Sequence, residues 1–426
     1  MPRAFRGDTN GFRGVTISGP LPRTRTRVLR NFSSLMVIKG LNLIAPVIAL
    51  PYILHTVGLE NYGHIAFTTV IATFAGSIIQ YGFSLTGVKA IASVREEPNL
   101  LAHIFWCNFL ASLLIGLTVI AVHVGLVLSV PSFREMWALH IGAILLAAGN
   151  ALVPHWLFLG LERSYYAAVG TFIVRFSYIL LLILFVRTPQ DYVLINFLGA
   201  GMAWLNIILA LVVVIGVFRL LPIRIGYREI IYTIRNGFSS FLLDWTPNLY
   251  NSASIMLLSF NVSPITLGAF NAANTVVTLV TSLGQLLANA FMPILSTSFS
   301  LHRISSRVLV ITGLLVATLV FAFAPFGAAL LAANGQDMIE RNLFYLAFSI
   351  PFAFGYYAYG YNYVALTEKR GQAGYVVLLI SILGILLSFF IVPALGSVGV
   401  AIILFLGRGS MFAMSYVIYR RFGYSA

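Results

Sequence analysis

Apolar runs long enough to cross a lipid bilayer recur along this chain, and they constrain the fold more than any motif does. The stretch IFWCNFLASLLIGLTVIAVHVGLVLS, residues 104–129, contains no Asp, Glu, Lys or Arg. About 20 residues of α-helix cross the hydrocarbon core, so a run of this kind reads as a transmembrane helix. Twelve such helices are expected, at about 33–57, 62–84, 104–129, 136–157, 166–186, 192–217, 237–260, 265–291, 308–332, 342–366, 374–394 and 398–419. Composition agrees. The 426 residues are 59% hydrophobic and 9% charged, with mean hydropathy +0.94, whereas soluble domains carry about 25% charged residues. Strands of a lipid barrel would show short alternating segments instead. The fold class expected is an all-α membrane protein.

The formal net charge is +14, but its placement signals topology and not nucleic acid. With the N-terminus inside, 20 of the 26 Lys and Arg fall in inner segments and 3 (Arg134, Arg187, Arg341) in outer loops. That asymmetry follows the positive-inside rule and places both termini in the cytoplasm. Residues 1–30 are rich in Arg, Gly, Pro and Thr without apolar periodicity. They read as a disordered basic cytoplasmic tail, lacking the apolar core and cleavage site of a signal peptide.

A repeat lies at an offset of 205 residues. YGHIAFTTVIATFAGSIIQY (62–81) aligns with LGAFNAANTVVTLVTSLGQL (267–286), pairing Gly63 with Gly268, Thr73 with Thr278, Ser77 with Ser282 and Gln80 with Gln285. Chance similarity of two apolar compositions is the bland explanation. The alternative is two parallel six-helix halves, 31–217 and 237–426, joined by a basic cytoplasmic linker at 218–236. Transporters built from such repeats keep their site between the halves.

Charges at membrane depth are functional-site candidates by default. Lys39 and Asp244 are related by the same offset, each about seven residues, roughly 10 Å, in from the cytoplasmic helix end. Arg175 and Arg408 stand near the middles of their helices. Snorkelling to the headgroups is the plain reading for Lys39, and a structural partner the plain reading for Asp244. Lys39, Asn42 and Pro46 share one helical face, as do Asp244, Asn248 and Asn251. The eighth helix carries Asn271, Asn274, Thr278, Ser282, Gln285 and Asn289 at steps of three or four, and the second a weaker stripe ending in Gln80 and Ser84. Interhelical hydrogen bonding accounts for such stripes; a polar lumen between the halves accounts for stripes and charges together. Three helix-borne cations against one carboxylate favour an anionic guest, and guanidinium forks suit phosphate. Pro46, Pro51 and Pro247 mark expected bends.

The single cysteine, Cys107, reads as a packing residue. With seven His and no Cys/His cluster in the sequence, neither a metal site nor a cofactor is expected. No P-loop, dinucleotide fingerprint or GxSxG is present.

The segment LPYILHTVGLENYGHIAFTTVIATFAGSIIQYGFSLTGVKAIA (50–92), with Leu50 to Tyr52, Gly58, Tyr62-Gly63, Gly82-Phe83 and Lys89 to Ala92, resembles the opening of the Wzx-type O-antigen and polysaccharide flippases. A second stretch, GAFNAANTVVTLVTSLGQLLANAFMPILS (268–296), is similar to that family's eighth helix with its closing proline, here Pro293. Val57 and the basic tail depart from the pattern. The resemblance implies membership of the multidrug/oligosaccharidyl-lipid/polysaccharide exporter superfamily. It implies a V-shaped bundle with a cationic central lumen in the bacterial inner membrane. The implied activity is non-enzymatic: translocation of an undecaprenyl-pyrophosphate-linked anionic oligosaccharide by alternating access. Implied partners are that substrate, membrane lipid, a polysaccharide polymerase and a chain-length regulator, with proton or sodium coupling left open. The substrate-site candidates are Lys39, Arg175, Asp244, Arg408, Asn42, Asn248, Asn274, Gln80 and Gln285. Two other readings remain: a multidrug/cation antiporter of the same superfamily, and a polysaccharide polymerase or ligase, which would need a larger external loop.

Overall fold

The computed structural model describes residues 23–297, 301–364 and 370–422; within them, the side chains at 23–39, 239, 242–248, 293, 294, 296, 297, 364, 370–375 and 422, those of Lys39, Asp244, Pro247 and Asn248 included, lie outside what is described. The elements are α1 (Arg23–Gln80), α2 (Phe83–Ser93), α3 (Pro98–Ser129), α4 (Pro131–Glu135), α5 (Trp137–Leu152), α6 (His155–Gly160), α7 (Tyr165–Phe185), α8 (Tyr192–Val212), α9 (Tyr227–Asn261), α10 (Pro264–Thr297), α11 (His302–Ala322), α12 (Ala324–Leu331), α13 (Gln336–Ala347), α14 (Ile350–Tyr356) and α15 (Arg370–Phe422). π-helical turns follow α8 at Val213–Val217 and α14 at Tyr357–Val364. No strand occurs among the described residues.

Eight described segments are long and apolar enough to cross a membrane. Two of them, of 54 and 46 residues, are much longer than one crossing requires, and each contains a glycine that interrupts the helix. Gly58 breaks α1 (φ 79°, ψ 168°) and Gly396 breaks α15 (φ 57°, ψ −130°). The outward faces are apolar: Phe172, Phe176, Ile183 and Leu184 on α7, and Leu386, Phe389 and Phe390 on α15, are exposed. Exposed apolar area on this scale belongs against acyl chains. The chain is a multi-pass helical membrane protein.

Three expectations shift. The bends expected at Pro46 and Pro51 do not interrupt α1, whose break at Gly58 falls in the gap expected between the first two helices. A proline costs one backbone bond inside a helix, but a left-handed glycine ends the helical geometry. Helix begins at Arg23, inside the stretch expected to be an unstructured tail. The connection after α8 is shorter than expected, because α9 is helical from Tyr227. There Glu229 accepts the Gly226 backbone N–H at 3.0 Å, satisfying a donor at the helix start.

Elements before and after the connection at 218–226 pack together at both ends of the bundle. At the expected outer end, α1 and α10 cross with no room for side chains: a Cβ on Gly63 would strike the Pro264 carbonyl, and one on Gly268 the Leu59 carbonyl. Phe260 closes the same end, edge-on to Phe67 at 5.5 Å. At the opposite end Tyr81 stacks on Phe241 at 5.0 Å. Gly82, at φ 69°, lets the chain pass the backbone of Ser240 and Phe241.

Candidate functional site

Arg175 projects from α7, one face of which is lipid-facing. Its Nε donates to Asn42 Oδ1 on α1 at 3.1 Å. Tyr178, one turn along α7, lies within electrostatic reach of the same guanidinium and of Tyr62. Tyr62 is buried at the crossing of α1 and α10 and accepts a hydrogen bond from Asn271 Nδ2 at 2.9 Å.

Arg408 has a separate setting. From α15 its Nη1 donates to Ser349 Oγ, just before α14, at 2.6 Å. Ser349 is fully buried and also donates to the Leu346 carbonyl. The hydroxyls of Tyr250 on α9 and of Tyr357 lie within electrostatic reach of Arg408. The sequence marks this place with a tyrosine-rich segment, YAYGYNYV, in the π-helical turn. π turns recur at functional sites, and here Asn362 is buried with neither amide atom hydrogen-bonded.

Both arginines are half-buried and bonded to neutral oxygens. Among the described residues the ion pairs are Arg95–Glu162 at 2.6 Å and His103–Glu229 at 3.5 Å, neither of which involves them. A cation at a helix centre costs about 2.5–3.5 kcal/mol on insertion scales. One or two neutral acceptors apiece, Asn42 for Arg175 and Ser349 with Tyr250 for Arg408, leave most of a guanidinium's five donors unused. The arrangement suits water or an anion.

The remaining candidates divide. Asn42 is exposed and paired with Arg175, whereas Gln80 is exposed at the end of α1; Asn274 and Gln285 are half-buried on α10. The side chains of Lys39, Asp244 and Asn248 lie outside the described residues. Ser282 of the polar stripe on α10, and Thr275 beside it, are satisfied within their own helix. Thr275 donates to the Asn271 carbonyl at 2.8 Å and Ser282 to the Thr278 carbonyl at 2.7 Å. Those hydroxyls mark helix interiors as much as a lumen. The sequence reading missed Tyr62 and Tyr250.

It also found no Cys/His cluster, yet one group among the described residues has metal-ligating geometry: His103, Cys107 and Glu229, their donor atoms within 4.8 Å of one another. His103 and Cys107 are one helical turn apart, a spacing visible in the sequence; Glu229 arrives only through the fold.

The family model for "Polysaccharide biosynthesis protein" matches residues 28–299. A protein of Escherichia coli (strain K12) named "Putative O-antigen transporter" is 25% identical over 281 residues, covering 66% of this chain and 68% of that protein. One of Shigella dysenteriae with the same name is 24% identical over 58% of this chain and 61% of that protein. Among solved structures, lipid II flippase MurJ in an inward closed conformation superposes with TM-score 0.68 at 12% identity, over 92% of this chain and 87% of that one. An inward-facing multidrug resistance MATE family transporter of the MOP superfamily gives 0.59 at 14%, over 89% and 97%. At these identities the structural likeness concerns the fold alone, which this chain shares with both transporters.

Proposed function

We propose that this chain, which belongs to the polysaccharide biosynthesis protein family, is a flippase that carries a lipid-linked anionic oligosaccharide across the inner membrane. The observation that carries the reading is the pair of membrane-depth arginines, each held by a neutral oxygen. Arg175 and Arg408 bind the pyrophosphate or acidic sugars, while the polyprenyl tail stays in lipid. Lys39 and Asp244 act near the cytoplasmic mouth.

The working parts are two six-helix halves, residues 31–217 and 237–426, that rock about the seam. Reciprocity supports this. The Gly63–Pro264 approach maps onto the Leu59–Gly268 approach by the 205-residue offset. The interruption at Gly58 falls opposite the break between α9 and α10, and that at Gly396 opposite the turn Pro189–Asp191. A two-fold axis makes such exchange obligatory, since residue i meets j wherever j meets i. Reading α1 and α15 as two crossings each then gives twelve.

A cation antiporter needs acidic groups facing its cargo, and neither arginine has a carboxylate partner among the described residues. The test is a strain lacking this gene. Loss of surface polysaccharide, with lipid-linked oligosaccharide held in the cytoplasmic leaflet, supports the flippase. Intact polysaccharide with heightened drug sensitivity overturns it.

A further inference from the structure

We propose that His103, Cys107 and Glu229 form a binding site for a borderline d-block cation, Zn2+ in the first instance, where α3 meets the start of α9. Three donors of the right kind converge from two helices. His103 and Cys107 share a face of α3 at i and i+4, with Cys107 Sγ 3.7 Å from His103 Nδ1. A tetrahedral ion with bonds of about 2.3 Å to sulfur and about 2.0 Å to nitrogen separates those two atoms by roughly 3.6 Å. The pair is therefore spaced for a shared ion without moving. Glu229 Oε1 lies 3.5 Å from the far imidazole nitrogen, Nε2. It must swing along the ring edge to join Nδ1 and Sγ around the ion; one donor atom from each of the three residues already lies within 4.8 Å of the others.

The surroundings hold the site in place. The other carboxylate oxygen of Glu229 is fixed by the Gly226 N–H at 3.0 Å. One helical turn along from His103, Trp106 Nε1 donates to the Leu221 carbonyl at 2.9 Å, strapping the connection before α9 to the same face of α3. His103 and Glu229 are partly open to solvent, at 39% and 49% side-chain exposure, so an ion has a path in and water can complete the tetrahedron. Cys107 is buried beneath them and is the chain's single cysteine, so no intramolecular disulfide competes for it. Thiolate and carboxylate together neutralise a dication, which suits a site at the edge of the membrane. On binding, the thiol proton leaves to solvent. The donor set of one sulfur, one nitrogen and one oxygen matches Zn2+ and disfavours Mg2+ and Ca2+, which take oxygen. The bound ion cross-links α3 to α9 across the connection at 218–226. This site does not depend on the transport reading, and its test reads metal rather than transport.

The experiment uses the full-length untagged protein in detergent. Zn2+ is titrated against a chromophoric chelator, and Co2+ serves as a spectroscopic substitute. One equivalent of Zn2+ per chain is expected, with a sulfur-to-cobalt charge-transfer band. C107S abolishes the band, and H103A and E229Q each weaken binding more than about tenfold, while all three elute like the unaltered protein. Should the variants fold poorly, Zn2+ protection of the Cys107 thiol against alkylation tests the site in the unaltered chain; a slowing of about tenfold or more is expected, because the metal-bound thiolate is withdrawn from attack. No stoichiometric binding, binding unchanged in C107S, or no protection overturns the proposal, leaving a hydrogen-bonded triad.

Discussion

Gly63 and Gly268 touch across the crossing of α1 and α10: a Cβ built on Gly268 lies 3.1 Å from the Gly63 backbone nitrogen and would strike the Leu59 carbonyl. The obstruction is backbone on both sides, so it cannot turn aside as a side-chain tip can. Alanine at residue 63 raises helix propensity by about 1 kcal/mol, yet G63A is expected to lower stability, because overpacking costs about 1–3 kcal/mol. Thermal unfolding of purified G63A in detergent measures the balance. A higher midpoint than the unaltered protein would show that the crossing gives way easily.

The arginines are tested by charge. R175E and R408E place a carboxylate where the proposed flippase binds its anionic cargo, and each is expected, on that proposal, to abolish surface polysaccharide with protein still in the membrane. R175K and R408K keep the charge but lose the planar fork, and partial activity is expected of both. N42A removes only the acceptor at 3.1 Å from Arg175, so a small loss is expected. Immunoblots of membranes beside a surface-polysaccharide gel read all five. Full activity in both reversals would remove the arginines from the mechanism.

How far these features were legible in the sequence depends on the range of the interactions behind them. Helix placement follows from apolar run length, a local property, and holds from α3 to α8. The 205-residue offset singled out Gly63 and Gly268 as equivalents, and the structure puts them in contact. Arg175 and Asn42 were each suspect, for depth and for helical face, but their pairing required α7 to pack on α1. The helix runs on through Pro46 and Pro51, since a proline removes one backbone bond without always ending a helix; the interruptions at Gly58 and Gly396 fall in the gaps expected at 58–61 and 395–397, where the sequence already ends one helix and starts the next. The start of α9 at Tyr227 had a local signal, Gly226 followed by Glu229 three residues on, masked by the surrounding basic residues. Glu229 meeting His103 is tertiary and left no trace in either segment alone.

Trp106 tests the strap on the connection at 218–226. Its indole N–H faces the carbonyls of Leu220 and Leu221 at 3.3 and 2.9 Å. W106F retains most of the ring packing against Phe105 and Phe109 while removing the donor, at a cost of about 1 kcal/mol. The connection contains Arg219 and Arg224. Faster trypsin cleavage there is expected in W106F than in the unaltered protein, with the global unfolding midpoint little changed. Equal cleavage rates would mean that the strap contributes nothing to holding the segment.

The Tyr62–Asn271 bond tests whether the end of the bundle closed by Gly63 and Gly268 has to open. It links α1 to α10 at 2.9 Å beside that crossing, and it is satisfied only while α1 and α10 stay together there. Y62F leaves the ring in place and removes the acceptor; N271A removes the donor. If the bond is made in the closed state alone, each variant lowers the stability of that state by about 0.5–1.5 kcal/mol. The double variant then costs less than the sum of the singles, since the two residues contact one another. Under rocking, the same variants shift the population toward the state open at this end. A thiol reagent should then label a cysteine placed at Thr275, one turn further along α10, faster in Y62F than in the parent, provided Cys107 is first replaced by serine. Equal labelling together with additive stabilities would mean that the bond neither couples α1 to α10 nor gates access, and the seam would have to move elsewhere.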